Sequence, residues 1–269
     1  MTGAAARATV YDVYLLGGQS NMDGRAATAS LPTSPVNLQQ PQNDVAFYYL
    51  QSGPLTTLRP ATSSGTTFGP EITFGRAMAN ANPSRQIALI KYSRGGTSLA
   101  VDWKPGSGSD HNAFKATVTN GLAALAAGGN TYRINGMLWL QGESDAGANA
   151  TNYGTNLTSF IADMRASYGA NMPFVIGGTG YGGTNYPVVN GAQEQVAATV
   201  PNVAYFSNYD LLGPDHNMLH FDAAGEQVIG QRFATAIQAV PEPGLLGLAG
   251  LLVVGLGRRR GRRGASAGR

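Results

Sequence analysis

Val10-Tyr11-Asp12-Val13-Tyr14-Leu15-Leu16-Gly17-Gly18-Gln19-Ser20-Asn21-Met22 joins an apolar run to a glycine turn that carries a serine. Val10 to Leu16 reads as a buried strand, and Ser20 then stands at its carboxyl end. In open α/β sheets that edge is where ligands bind. The glycines relax the turn, so Ser20 can present its hydroxyl and its own N–H to one substrate atom. The same pattern also fits an ordinary strand-to-helix turn with a capping serine. The residues farther along the chain decide between the two.

Beyond this stretch, apolar runs alternate with amphipathic patterns. Strands are expected at Val10 to Leu16, Gln86 to Tyr92, Ile134 to Leu140, Pro173 to Ile176 and Val203 to Phe206. Leu157, Phe160, Ile161, Met164 and Tyr168 recur at helical spacing, as do Val228, Ile229, Phe233 and Ile237. Pro70, followed by Ile72, Phe74 and Met78, predicts a further helix. Five strands separated by helices imply an α/β fold with a parallel sheet covered on both faces. The Pro- and Gly-rich stretch Thr28 to Gly69 reads as loops with one short strand around Phe47 to Leu50, and no internal repeat is present.

A chain of 269 residues with 43% hydrophobic content can bury one full α/β core. It has no cysteine, which excludes disulfides and thiolate metal sites. The 37 glycines and 12% charged residues suit an exported, loop-rich protein. Six of the 18 Lys and Arg lie beyond residue 240, so residues 1–240 carry 12 basic against 14 acidic side chains. The positive charge is thus a terminal cluster rather than a stripe along the fold, and no nucleic-acid partner is expected.

Two domains of unequal size follow: residues 1–239 as the folded body and residues 240–269 as a tail. The tail opens with Val240, Pro241, Glu242 and Pro243, continues as the apolar run Leu245 to Leu256, and closes on Arg258, Arg259, Arg260, Arg262 and Arg263. Twelve helical residues span about 18 Å against a hydrocarbon core of ~30 Å, which is short for a stable anchor. The order of the three parts resembles the PEP-CTERM sorting tail of exported bacterial proteins. That resemblance implies a sorting protease as partner, membrane contact through the C-terminal segment only, and a body at the cell surface or in the extracellular matrix. Met1 to Thr9 shows no apolar signal-peptide core, although such a tail is expected to accompany one.

Chemistry gathers at two further places. Trp139, Gln141 and Glu143 alternate at the end of the third strand, so in an extended chain their side chains share one side, on the same rim as Ser20. His220 is the last of three histidines, His111, His216 and His220, and directly precedes Phe221 and Asp222, the latter a helix N-cap candidate. From that loop it can reach back across the sheet edge to Ser20. Competing motifs are weaker. Gly178, Gly180 and Gly183 fit G-x-G-x-x-G, but Pro187 follows and no acidic residue stands about 20 positions on, so the stretch suits a loop over the site better than a dinucleotide cradle. His216 and His220 have helical zinc spacing without an intervening Glu, and neither a metal nor a cofactor is expected. Met22 replaces the second Gly of the G-x-S-x-G elbow, which argues against an α/β-hydrolase. Arg94, Trp103 and Tyr181 lie on loops expected to wall the pocket.

Together GGQSNM at 17–22, SRGGTSL at 93–99, WLQGESD at 139–145 and LHFDAAG at 219–225 resemble the blocks of the SGNH-hydrolase superfamily. Within it they are most similar to the sialate O-acetylesterase-like group and carbohydrate esterase family 6. The resemblance implies a flavodoxin-like, three-layer α/β/α sandwich with a five-stranded parallel sheet, and hydrolysis of O-acetyl groups on a carbohydrate such as acetylated polysaccharide or sialic acid. It further implies Ser20 as nucleophile, His220 as general base, and oxyanion donors from the Ser20 N–H, a backbone N–H of Gly95 or Gly96, and the Gln141 amide. The triad acid stays open. Family members commonly place Asp three residues before the His, and here that position is Asn217. Glu143 is the first candidate and Asp215 the second. A non-catalytic carbohydrate-binding surface protein on the same scaffold is the alternative that Asn217 favours.

Overall fold

The computed structural model describes residues 8–50, 53–60, 65–127 and 129–241. The tail expected from residue 240 onward lies, beyond Pro241, outside the described residues, and among the latter no helix is long and apolar enough to cross a membrane.

The sheet has seven strands where five were expected: β1 (Val10–Gly18), β3 (Gln42–Tyr49), β4 (Thr56–Leu58), β6 (Gln86–Ser93), β7 (Thr131–Leu140), β8 (Phe174–Gly177) and β9 (Val203–Phe206). Their order is β4-β3-β6-β1-β7-β8-β9, all parallel except β4, which runs antiparallel to β3. A separate ribbon pairs β2 (Ala26–Ala27) with β5 (Thr67–Phe68). The two additional strands of the main sheet come from the Pro- and Gly-rich region. β3 contains the short strand expected around Phe47 to Leu50 but begins earlier, with the polar run Gln42, Asn43, Asp44, whereas β4 is three residues long and carries no apolar run.

Alternation along β1 divides the core. Val13 and Leu15 face a layer built by α3 (Ser109–Ala126), α4 (Tyr153–Tyr168) and α5 (Tyr186–Thr199), with Phe114, Phe160 and Val189 fully buried. Tyr14 and Leu16 face the opposite layer of α2 (Glu71–Ala81) and α6 (Ala223–Ala239), through Ile72, Phe74, Ile229 and Phe233. Each such buried side chain contributes roughly 1.5–3 kcal/mol of transfer free energy. This is a parallel sheet flanked by helices on both faces, the α/β architecture anticipated above.

The order also sets the place of the site. The chain enters at β1, fills one side through β3 and β6, then crosses to β7 on the other side. Strand order therefore reverses at β1, and the loops leaving β6, β1 and β7 open a crevice at their carboxyl ends. Gly18 at the end of β1 pairs with Ser93 of β6 and Leu140 of β7. The three sequence blocks that follow these residues meet because their strands are adjacent and in register.

Candidate active site

Ser20 opens α1 (Ser20–Asp23), a single buried turn directly after β1. Gly18 makes the turn possible: its φ is 154°, and a Cβ there would stand 2.1 Å from the Leu140 carbonyl oxygen. Gln19 N donates to that same oxygen at 3.1 Å, fixing the chain just before the serine. Ser20 Oγ lies 3.1 Å from His220 Nε2, a contact between residues 200 positions apart. The two share a pocket of about 730 Å³ with Gln19, Arg25, Gly95, Gly96, Glu143, Ser144, Tyr181, Gly182, Gly183 and Leu219. The larger share of the sequence-derived set is thus brought together. The N–H groups of Ser20 and Gly95 have no acceptor among the described residues, which leaves both available to a ligand oxygen.

His220 sits on the loop that precedes α6, whose first turn is capped by Asp222 Oδ1 accepting from Gly225 N at 2.8 Å. Asn21, which the sequence reading passed over, secures that loop. Its Nδ2 donates to Leu219 O (3.0 Å) and to Glu143 Oε1 (2.6 Å), and its Oδ1 accepts from Phe221 N (3.3 Å). The backbone is held on both sides of His220 from the residue next to Ser20. Burial, and after it the Arg25 guanidinium, holds the His220 imidazole below its ordinary pKa of 6.5, which keeps it neutral and able to accept a proton.

The expected direct pairing of Glu143 with His220 is not formed. Glu143 Oε1 is taken by Asn21 Nδ2 and by Gly180 N at 2.9 Å, while Oε2 is buried without a hydrogen-bond partner. Burial raises the Glu143 pKa above the usual carboxylate value, and hydrogen bonds from its neighbours only partly offset this. Asp215 is exposed and does not pair with His220 either. Among the described residues, the histidine that pairs with a carboxylate is His111, through Asp163 at 2.8 Å.

Three other expectations are placed elsewhere by the structure. Gln141 is fully buried, and its Nε2 lies within hydrogen-bond reach of Asp145 Oδ2 (2.6 Å), Thr97 O (3.0 Å) and Gln19 Oε1 (3.2 Å). An amide so engaged is a brace beneath the pocket rather than an oxyanion donor. Asp145 extends the brace by accepting from Leu99 N and Ala100 N, which secures the loop bearing Gly95 and Gly96. Trp103 is fully buried, edge-on to Trp139 at 4.9 Å, and offers no face to a sugar. Arg94 is clamped on buried Asp110 by Nε (2.6 Å) and Nη2 (2.5 Å) and does not line the pocket. The cation that does line it is Arg25, paired with buried Asp23 at 3.0 Å. Its signal in the sequence was its place five residues after Ser20, on the strand-end turn. Tyr181 lines the pocket as expected, on the glycine-rich stretch that forms one wall.

Known proteins bear on this geometry. Among solved structures, one from Arabidopsis thaliana superposes with a TM-score of 0.69 at 23% identity, covering 85% of this chain and 98% of that one. A carbohydrate acetylesterase from Xanthomonas citri gives 0.63 at 20% identity over 85% of this chain and 56% of its own. NanS gives 0.60 at 15% identity over 87% and 98%. At these identities the likeness shows a shared fold. No curated protein sequence matches the chain. The family model described as carbohydrate esterase, sialic acid-specific acetylesterase, matches residues 10–239. That span holds both α1, which Ser20 opens, and the loop that carries His220, and the chain belongs to this family of carbohydrate esterases.

Proposed function

We propose that the protein removes O-acetyl groups from a carbohydrate through an acetyl-enzyme formed on Ser20. The observation that carries this reading is the Ser20 Oγ to His220 Nε2 contact of 3.1 Å on the floor of a pocket open at the sheet's carboxyl edge. Ser20 Oγ attacks the acetyl carbonyl carbon while His220 Nε2 takes its proton. Negative charge collects on the carbonyl oxygen, where the Ser20 and Gly95 N–H groups donate; losing one such donor typically costs roughly 3–4 kcal/mol of barrier stabilisation. Collapse releases the sugar hydroxyl, which takes the proton from His220. Water then attacks the acetyl carbon and gives its proton to His220; the bond to Ser20 Oγ breaks, His220 returns the proton to that oxygen, and acetate leaves.

Within this mechanism Glu143 works at one remove: it fixes Asn21, and Asn21 fixes the backbone around His220. The names of the Xanthomonas citri enzyme and of the family support an acetylated carbohydrate as substrate. The terminal Pro-Glu-Pro box, apolar run and arginine cluster support export, with the tail read by a sorting protease and touching the membrane.

Turnover of a chromogenic acetyl ester, followed by a screen of acetylated xylan and acetylated sialic acid, tests the reading. Ser20→Ala and His220→Ala should each abolish turnover in a protein that still folds, because the two act as one unit. Activity within about tenfold of the parent in either variant would remove the mechanism.

A further inference from the structure

One side of the pocket continues into a row of rings that the mechanism does not use. Tyr181, on the pocket wall, meets the Tyr186 ring edge-on, with centroids 5.3 Å apart. Tyr186 opens α5, and both Tyr181 and Tyr209 lie near enough to its phenol to raise its pKa by charge, after burial. The Tyr209 ring stacks on His216 with centroids 4.1 Å apart and planes within 15°. His216 holds this position with φ of 50°, a left-handed conformation unusual for a residue other than glycine, and its Nδ1 lies 3.3 Å from the Tyr209 carbonyl oxygen. The two loops are stitched together by Tyr181 N donating to Met218 O at 2.9 Å. The row is not core: Tyr209 is 52% exposed, and Leu219, which shares the pocket wall with Tyr181, is 45% exposed.

We infer that Tyr181, Tyr186, Tyr209 and His216 form a second carbohydrate subsite, so that the acetyl group removed at Ser20 belongs to one residue of an oligo- or polysaccharide. The occupant follows from continuity. Tyr181 belongs both to the pocket that receives the ester and to the row of rings, so what runs along the row is the chain attached to the acetylated sugar. Aromatic faces cover the apolar C–H side of a pyranose while the phenol and imidazole groups reach its hydroxyls. A free monosaccharide would be confined to the pocket and leave the row unused. This inference rests on the esterase reading for the first sugar and adds to it the length of the substrate.

The test compares acetylated oligosaccharides derived from xylan and pectin with the corresponding acetylated monosaccharides and 4-nitrophenyl acetate, in the parent and in Tyr209→Ala. The parent should favour an oligosaccharide by about tenfold in kcat/KM, and Tyr209→Ala should erase most of that advantage through KM, leaving 4-nitrophenyl acetate turnover within about twofold. Equal loss on all substrates, an advantage that survives the substitution, or no advantage in the parent would overturn the subsite. Calorimetric binding of the same oligosaccharides separates the two readings. If the parent turns over no ester, the esterase mechanism fails, while binding that weakens in Tyr209→Ala still supports the row. Oligosaccharides that bind neither protein overturn it.

Discussion

Asn21 carries more of the site's geometry than its position beside the nucleophile suggests. Its side chain joins Glu143 to the two peptide groups that bracket His220, so a carboxylate that touches no imidazole nitrogen still governs where the imidazole stands. A displacement near 1 Å can cost about a hundredfold in rate. Asn21→Ala should accordingly lower kcat by about two orders of magnitude with KM little changed, whereas Glu143→Gln, which keeps an acceptor for Asn21 and Gly180, should retain most of the turnover. Steady-state kinetics on one chromogenic ester reads both. A collapse of kcat in Glu143→Gln would show instead that the charge itself acts on His220. Ser20, Glu143 and Gly95 were legible in the sequence because they follow the ends of strands that read clearly and stand in the family-like blocks, His220 because it is one of three histidines and stands in the last block, and Tyr181 because its glycine-rich stretch follows a strand. Asn21 and Gln141 were not, since a buried amide reads the same whether it faces a ligand or braces a loop.

At the level of elements, the strands found from the sequence are those with a continuous apolar run: β1, β6, β7 and β8 inside the sheet, and the half-buried edge strand β9. β3 was found only at its apolar end, around Phe47 to Leu50, because its first residues are polar; β4 is too short to show a pattern, and both take their place in the sheet by pairing, β3 with β6 and β4 with β3. The first turn of α6 shows a second thing that periodicity does not report. Glu226 falls on the buried face, wholly inaccessible, with both carboxylate oxygens lacking a hydrogen-bond partner. Burial, and then the charge of Glu71, pushes its pKa well above 4.5, with the Lys91 ammonium opposing. The folded state therefore keeps a proton that the unfolded chain releases. Its contribution to stability is full below pH 4.5 and is lost as pH rises toward the folded-state pKa. Glu226→Gln cannot titrate, so the variant's stability relative to the parent should climb as pH rises above 4.5. Urea midpoints measured from pH 4 to neutrality check this. A difference independent of pH would mean that Glu226 is ionised in the fold.

Across the whole molecule, α6 closes the architecture by lying over the sheet beside α2, with Thr73 Oγ1 donating to Gln227 O at 2.9 Å. A Cβ on Gly230 would stand 2.0 Å from Thr73 Oγ1 and 2.4 Å from Pro70 O, so the helices touch backbone to backbone there. The helix that positions the His220 loop is thereby fixed to the body along its length, and it ends at Ala239. Val240 is still buried, at 9% exposure, and lines a cavity at the amino edge of the sheet with Ile134, Pro173 and Ile237. The boundary read from the sequence, after Ala239, would remove that side chain and open the cavity. A cut after Pro241 spares it. Truncation there should leave the melting temperature and ester turnover unchanged while abolishing retention in the membrane or envelope fraction, because the apolar run and the arginines lie beyond the cut. Thermal denaturation, kinetics and fractionation of the full and shortened chains decide it. A lowered melting temperature would show that residues after Pro241 pack on the domain, and unchanged retention would remove the sorting role of the tail.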